Sequence, residues 1–92
     1  MIFGLPLHIP DAFSPNFDGS NDYFVIRGIE NYPFTGLHVF NRWGSEEYSN
    51  SDYKNQWSGL NNQGKLLTDD TYYFILNLPS GNSYAGFIVL KR

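Results

Sequence analysis

The chain has no cysteine and a single methionine among its 92 residues. The missing thiols exclude disulfides, thiolate metal sites and cysteine nucleophiles. Charge is scarce as well. Six basic residues against nine acidic ones leave a formal charge of -3, and no basic footprint for nucleic acid stands out. No apolar run approaches the roughly 20 residues that a membrane-spanning helix needs. Met1 to Pro6 lacks a basic n-region and is too short in its apolar stretch for a signal peptide. A helical period is missing throughout. No Gly-rich phosphate loop, HExxH or Ser-His-Asp order is present, so nothing points to an enzyme. His8 and His38 have no nucleophile or metal partner at a useful spacing, and Asp69 and Asp70 sit side by side, where a strand would turn them to opposite faces.

What the chain has is aromatics and turns. Eight Phe, seven Tyr and two Trp can supply a core that few aliphatics could. Nine Gly and five Pro lie among Asn, Ser and Asp, which marks frequent turns. Ninety-two residues make one domain with a thin core.

Two-residue alternation recurs along the sequence. After a short opening segment at 5–9, the extended runs are 23–27, 37–41, 46–48, 71–78 and 84–90. In the clearest, Tyr72, Phe74, Leu76 and Leu78 share one face, and Tyr73, Ile75 and Asn77 the other. Turns are expected at 43–45, 61–64 and 79–82. This pattern predicts an all-β, Ig-like β-sandwich of about seven antiparallel strands. Phe24, Ile26, Leu37, Val39, Phe74, Leu76 and Ile88 should form its core, with His38 on the outer side of its strand.

Three local features carry the candidate sites. In the loop Phe13 to Asp22, the residues Asn16, Asp18, Ser20 and Asp22 alternate around a Gly turn. Hard oxygen ligands at that spacing can wrap a calcium ion weakly, although the acidic residue that closes an EF-hand is replaced by Arg27. The same residues equally make Asx-turns with their own backbone. Asn41-Arg42-Trp43-Gly44 ends a strand. Trp43 is expected to plug the core, with Gly44 at positive φ, and Trp57 is expected to pack likewise. The other reading makes Arg42 and Trp43 partner contacts, as those residue types dominate hot spots; Arg42 can also stack on an aromatic ring. Lys91 and Arg92 join them as candidate partner contacts. A different class of function, an adhesion or carbohydrate-binding module, would expose Tyr48, Tyr53 and Trp57 beside Asn-rich loops.

Taken together, the motifs resemble a known family. The run from Ile9 to Ile26, IPDAFSPNFDGSNDYFVI, is similar to the opening of the gliding-motility-associated C-terminal domain. Gly28 to Pro33 (GIENYP), Leu37 to Gly44 (LHVFNRWG), Tyr53 to Gly59, Gly64 to Leu67 and Thr71 to Phe74 follow in that family's order. Six such segments in order over roughly residues 8–92 are far more specific than any one. Phe17, Ser20, Ser58 and Asp70 depart from the pattern.

The resemblance implies a type B sorting signal of the type IX secretion system of Bacteroidota. Such a domain ends a large cargo protein, here at Lys91–Arg92. The cargo crosses the periplasm, and outer-membrane machinery that includes a PorP/SprF-like protein reads the folded domain. The implied domain is a monomer that does not insert into the membrane, and its cargo is secreted or displayed on the cell surface.

Overall fold

The structure, a computed structural model, describes residues 7–16, 19 and 22–92. Its strands are β1 (Ala12–Phe13), β2 (Gly36–Phe40), β3 (Glu46–Asn50), β4 (Asp70–Asn77) and β5 (Ser83–Leu90). They form one sheet in the order β1-β5-β4-β2-β3. Among the described residues, helix is confined to a single 3-10 turn at Ile29–Asn31. The all-β expectation holds. Among the described residues the strand count is five where about seven were expected, and these strands lie in one sheet. The sheet is also mixed, since β1 runs parallel to β5.

Alternation built this sheet as expected. On β4, Tyr72, Phe74 and Leu76 are buried, while Tyr73, Ile75 and Asn77 lie on the other face. Leu37 and Val39 of β2 and Ile88 and Leu90 of β5 complete the inner face. All seven residues expected in the core are there. β4 and β5 pair without interruption from Asp70↔Leu90 to Asn77↔Ser83. The β2–β3 hairpin contains one bulge, where the pairing moves from Val39↔Tyr48 to Phe40↔Glu46.

The layer that covers the inner face is irregular. Phe24 and Ile26 are buried in alternation with exposed Tyr23, Val25 and Arg27, so residues 23–27 are extended as read. Among the described residues their ladder is one bridge, His8↔Arg27. Three further backbone groups are satisfied by the loop 53–57. Phe24 N–H donates to Trp57 O at 2.9 Å, Ile26 N–H donates to Asn55 Oδ1 at 2.8 Å, and Tyr53 Oη donates to Phe24 O at 2.5 Å. Buried backbone groups must be paired, and side chains of a loop serve as well as a strand. Hence a run with strand parity lies outside any sheet.

Trp57 anchors this layer. Its ring lies 5.1 Å from Phe13, 6.0 Å from Phe24 and 5.6 Å from Tyr48, centroid to centroid. Its Nε1–H donates to Leu60 O at 2.8 Å. At Gly59, where φ is 84°, an added Cβ would lie 2.9 Å from Arg92 Nη2 and 3.1 Å from Leu90 and Pro15 side-chain atoms.

Candidate recognition surface

The outer face of the sheet has no covering layer among the described residues. The pleat sends Phe40, Tyr73 and Phe87 to this side, and the register sets them in one cross-strand row. The Phe40 and Tyr73 rings are 6.1 Å apart, and those of Tyr73 and Phe87 are 5.5 Å apart, edge to face. Phe87 is 65% exposed. Ile75 and Val89 flank the row on the same face.

One end of the row meets the turn Asn41–Ser45 between β2 and β3. Asn41 organises it, since its Oδ1 accepts from Trp43 N–H at 2.9 Å and from Ser45 N–H at 3.0 Å. Gly44 takes φ 84°, a left-handed conformation that glycine adopts without penalty. Trp43 rides at the tip of the turn and is 79% exposed. The expectation that it plugs the core is therefore wrong. Two residues beyond Val39, the last buried position on β2, the chain has left the sheet, and parity no longer steers the side chain inward.

Arg42 ties this turn to β4. Its Nε and Nη2 donate to Asp70 Oδ2 and Oδ1 at 3.0 and 2.7 Å, and its guanidinium lies 5.5 Å from the Trp43 ring centroid. The stacking of Arg42 on an aromatic was expected; the Asp70 partner was not. The Arg42 fork, helped by Thr71 N–H, holds the Asp70 carboxyl below the usual carboxylate range, and Asp70 in turn raises Arg42. Two shallow hollows of about 370 and 390 Å³ flank this pair, one lined by Asp70, Thr71 and Phe87, the other by Phe40, Gly44 and Ile75.

The other sequence-predicted residues lie elsewhere. Lys91 is exposed, and its N–H donates to Phe13 O at 3.2 Å. Arg92 turns inward. Its Nη1 donates to Leu67 O and to Asp69 Oδ1, and its Nη2 donates to Gly59 O at 3.1 Å. In the Asp-rich loop, Gly19 N–H donates to Asp22 Oδ2 at 2.8 Å, Asn16 is exposed, and Asp18 and Ser20 lie outside the described residues.

The carbohydrate reading required exposed Tyr53 and Trp57. Each is 1% exposed, and Tyr48 is half-buried against them. Tyr53 Oη is spent on Phe24 O and on Trp57 N–H. These rings are core, so they offer no sugar platform.

Sequence reasoning missed the outer row because parity places Phe40, Tyr73 and Phe87 together only once strand order is known. A signal for Trp43 was present. Asn41-x-x-Gly44 and Asn61-x-x-Gly64 are the same turn. Asn61 Oδ1 accepts from Gln63 and Lys65 N–H at 2.9 Å, just as Asn41 does two and four residues on. The residue before each Gly sits at a tip.

Residues 7–90 match the family model described as the CHU_C type IX secretion signal domain. No curated protein matches the chain.

Proposed function

The chain belongs to the CHU_C type IX secretion signal domain family, and from that premise we propose that it is a C-terminal sorting signal read as a folded surface. The family consists of secretion signals, which are not enzymes. A cargo that carries such a signal is secreted or displayed at the cell surface. In this reading the cargo first enters the periplasm. An outer-membrane component of the machinery, of the PorP/SprF-like kind, then docks on the monomeric domain and commits the cargo to export.

The observation that carries the recognition mechanism is the bare outer face. An aromatic row with an exposed Trp and a forked Arg beside it has the residue types that dominate protein–protein hot spots. Large apolar side chains left in water on one sheet face mark an interaction site.

The test fuses residues 1–92 to the C-terminus of a periplasmic reporter in a host that carries this secretion system. The reporter should leave the periplasm. The double variant Trp43→Ala/Tyr73→Ser should keep the domain folded, as judged by circular dichroism, and hold the reporter back. A wild-type fusion that stays in the periplasm would refute the sorting role. A folded double variant exported at the wild-type level would refute the face as the surface that is read.

A further inference from the structure

The sheet has two outer edges, and they are treated differently. On β3 the edge is closed. Asn62 lies along it, with Oδ1 accepting from Ser49 N–H at 2.9 Å and Nδ2 donating to Ser49 O at 3.1 Å. Its own N–H donates to Glu47 O at 3.2 Å. Two glutamates, Glu46 and Glu47, add charge to this strand.

On β5 the edge is open for most of its length. β1 pairs only with Val89 and Leu90, and Val89 N–H donates to Asp11 O at 2.8 Å. By the two-residue period, the backbone groups of Ser83, Ala85 and Phe87 point the same way as those of Val89, away from β4. Among the described residues, no hydrogen bond reaches them from that side. All three residues are exposed. From Ser83 to Ile88 there is no charge, no proline and no bulge against β4. Native sheets blunt such edges with those very devices.

Resting on the sorting-signal reading, we propose that the β5 edge between Ser83 and Phe87 accepts an added strand from a protein of the secretion machinery. The guest is an extended, uncharged segment, apolar at alternate positions. Backbone pairing supplies affinity, and the alternate side chains supply selectivity. From Ser83 to Phe87 the edge itself carries no charge to draw in a charged guest. The guest's outward side chains would lie beside Phe87, which belongs both to this edge and to the aromatic row. One partner body can therefore cover edge and face together.

A second copy of the chain fits less well. Self-pairing would centre on Ala85 and use five residues, about 17 Å of strand. Such a pair would add strand to strand and leave the aromatic row uncovered.

The decisive variant is Ala85→Pro. It removes an N–H that β4 does not use, and proline is tolerated where the strand edge faces solvent. Ala85→Lys serves as a second blocker should the proline variant not fold. In the purified domain, the Ala85 and Phe87 amides should exchange with solvent quickly, while those of Gly86 and Ile88 are protected. Slow exchange at Ala85 and Phe87 in the monomer would show that the edge is not open and overturn the proposal.

In the export assay, the variants should melt within a few degrees of wild type yet lower export by about tenfold, the loss of one or two net backbone hydrogen bonds. Wild-type export by both folded variants would overturn the added strand and leave the sorting role intact. Failure of the wild-type fusion would refute both. Sedimentation should find a monomer; a dimer abolished by Ala85→Pro would assign the edge to a second copy and overturn the proposal.

Discussion

The two tryptophans show how far one side chain's fate depends on where the chain leaves the sheet. Both precede or approach a glycine at φ 84°, yet Trp57 contacts three rings in the core and Trp43 stands in solvent. Burial of an aromatic is the largest single contribution a thin core receives. Trp57→Ala should therefore cost about 3–5 kcal/mol, out of a total of about 5–15 kcal/mol for a domain. With about 4–8 °C per kcal/mol at this size, its melting temperature should fall by at least about 12 °C. Trp43→Ala removes only a solvent-exposed cation–π contact with Arg42, which contributes little in water, so its melting temperature should stay within a few degrees of wild type. Thermal unfolding of both variants checks the pair. A large drop for Trp43→Ala, or a small one for Trp57→Ala, would reverse the assignment of core and surface.

The longer paired strands were legible in the sequence, because alternation decides their parity, whereas the two-residue β1 at Ala12–Phe13 was not read. β4 and β5 are of this kind: the two faces of β4 were read correctly, and Ile88 of β5 was placed in the core. The run at 23–27 was legible only in its parity. Its hydrogen bonds go to Trp57 O and to the side chains of Tyr53 and Asn55, and no local pattern announces a partner some thirty residues away. The candidate surface was hidden for a related reason, since the Phe40–Tyr73–Phe87 row needs β2, β4 and β5 side by side. The hairpin turn was more readable than it first looks. Asn41 and Asn61 each accept two amide bonds at their turns, and Asn41 Nδ2 also donates to Glu47 Oε2 at 2.8 Å. At about 0.5–1.5 kcal/mol net per hydrogen bond, with solvent replacing part of each, Asn41→Ala should destabilise by about 1–2 kcal/mol and Asn61→Ala by somewhat less. Denaturant titration of the two variants measures the order. Equal, negligible shifts would mean that water caps these turns as well as asparagine does.

On the proposed reading the domain works only where the whole molecule is folded, and titrating groups change its stability at the extremes of pH. At the acid end the group is Asp70. Its carboxyl is held below its ordinary value by the Arg42 fork and Thr71 N–H, so the folded state binds fewer protons than the unfolded chain near that value. The stability it adds is complete above the unfolded carboxyl value of about 3.9, and it is lost as pH falls through the lower folded value. Asp70→Asn keeps an acceptor for Arg42 but removes the charge. The gap between wild type and Asp70→Asn should be constant near neutrality, narrow below about pH 4 and close at lower pH. At the alkaline end the group is Tyr53. Burial raises its phenol well above the ordinary value, more than the Trp57 amide lowers it. Here the folded state holds the proton more tightly, so the contribution is complete below about pH 10 and declines as pH rises and the unfolded phenol ionises. Tyr53→Phe loses the bonds to Phe24 O and Trp57 N–H, which lowers stability at all pH values while flattening that alkaline decline. Melting curves from pH 2 to pH 11 for wild type and both variants separate the limbs. A wild-type to Asp70→Asn gap that does not change with pH would show that the Arg42–Asp70 pair holds the turn against the sheet through geometry alone, with no charge coupling to the fold.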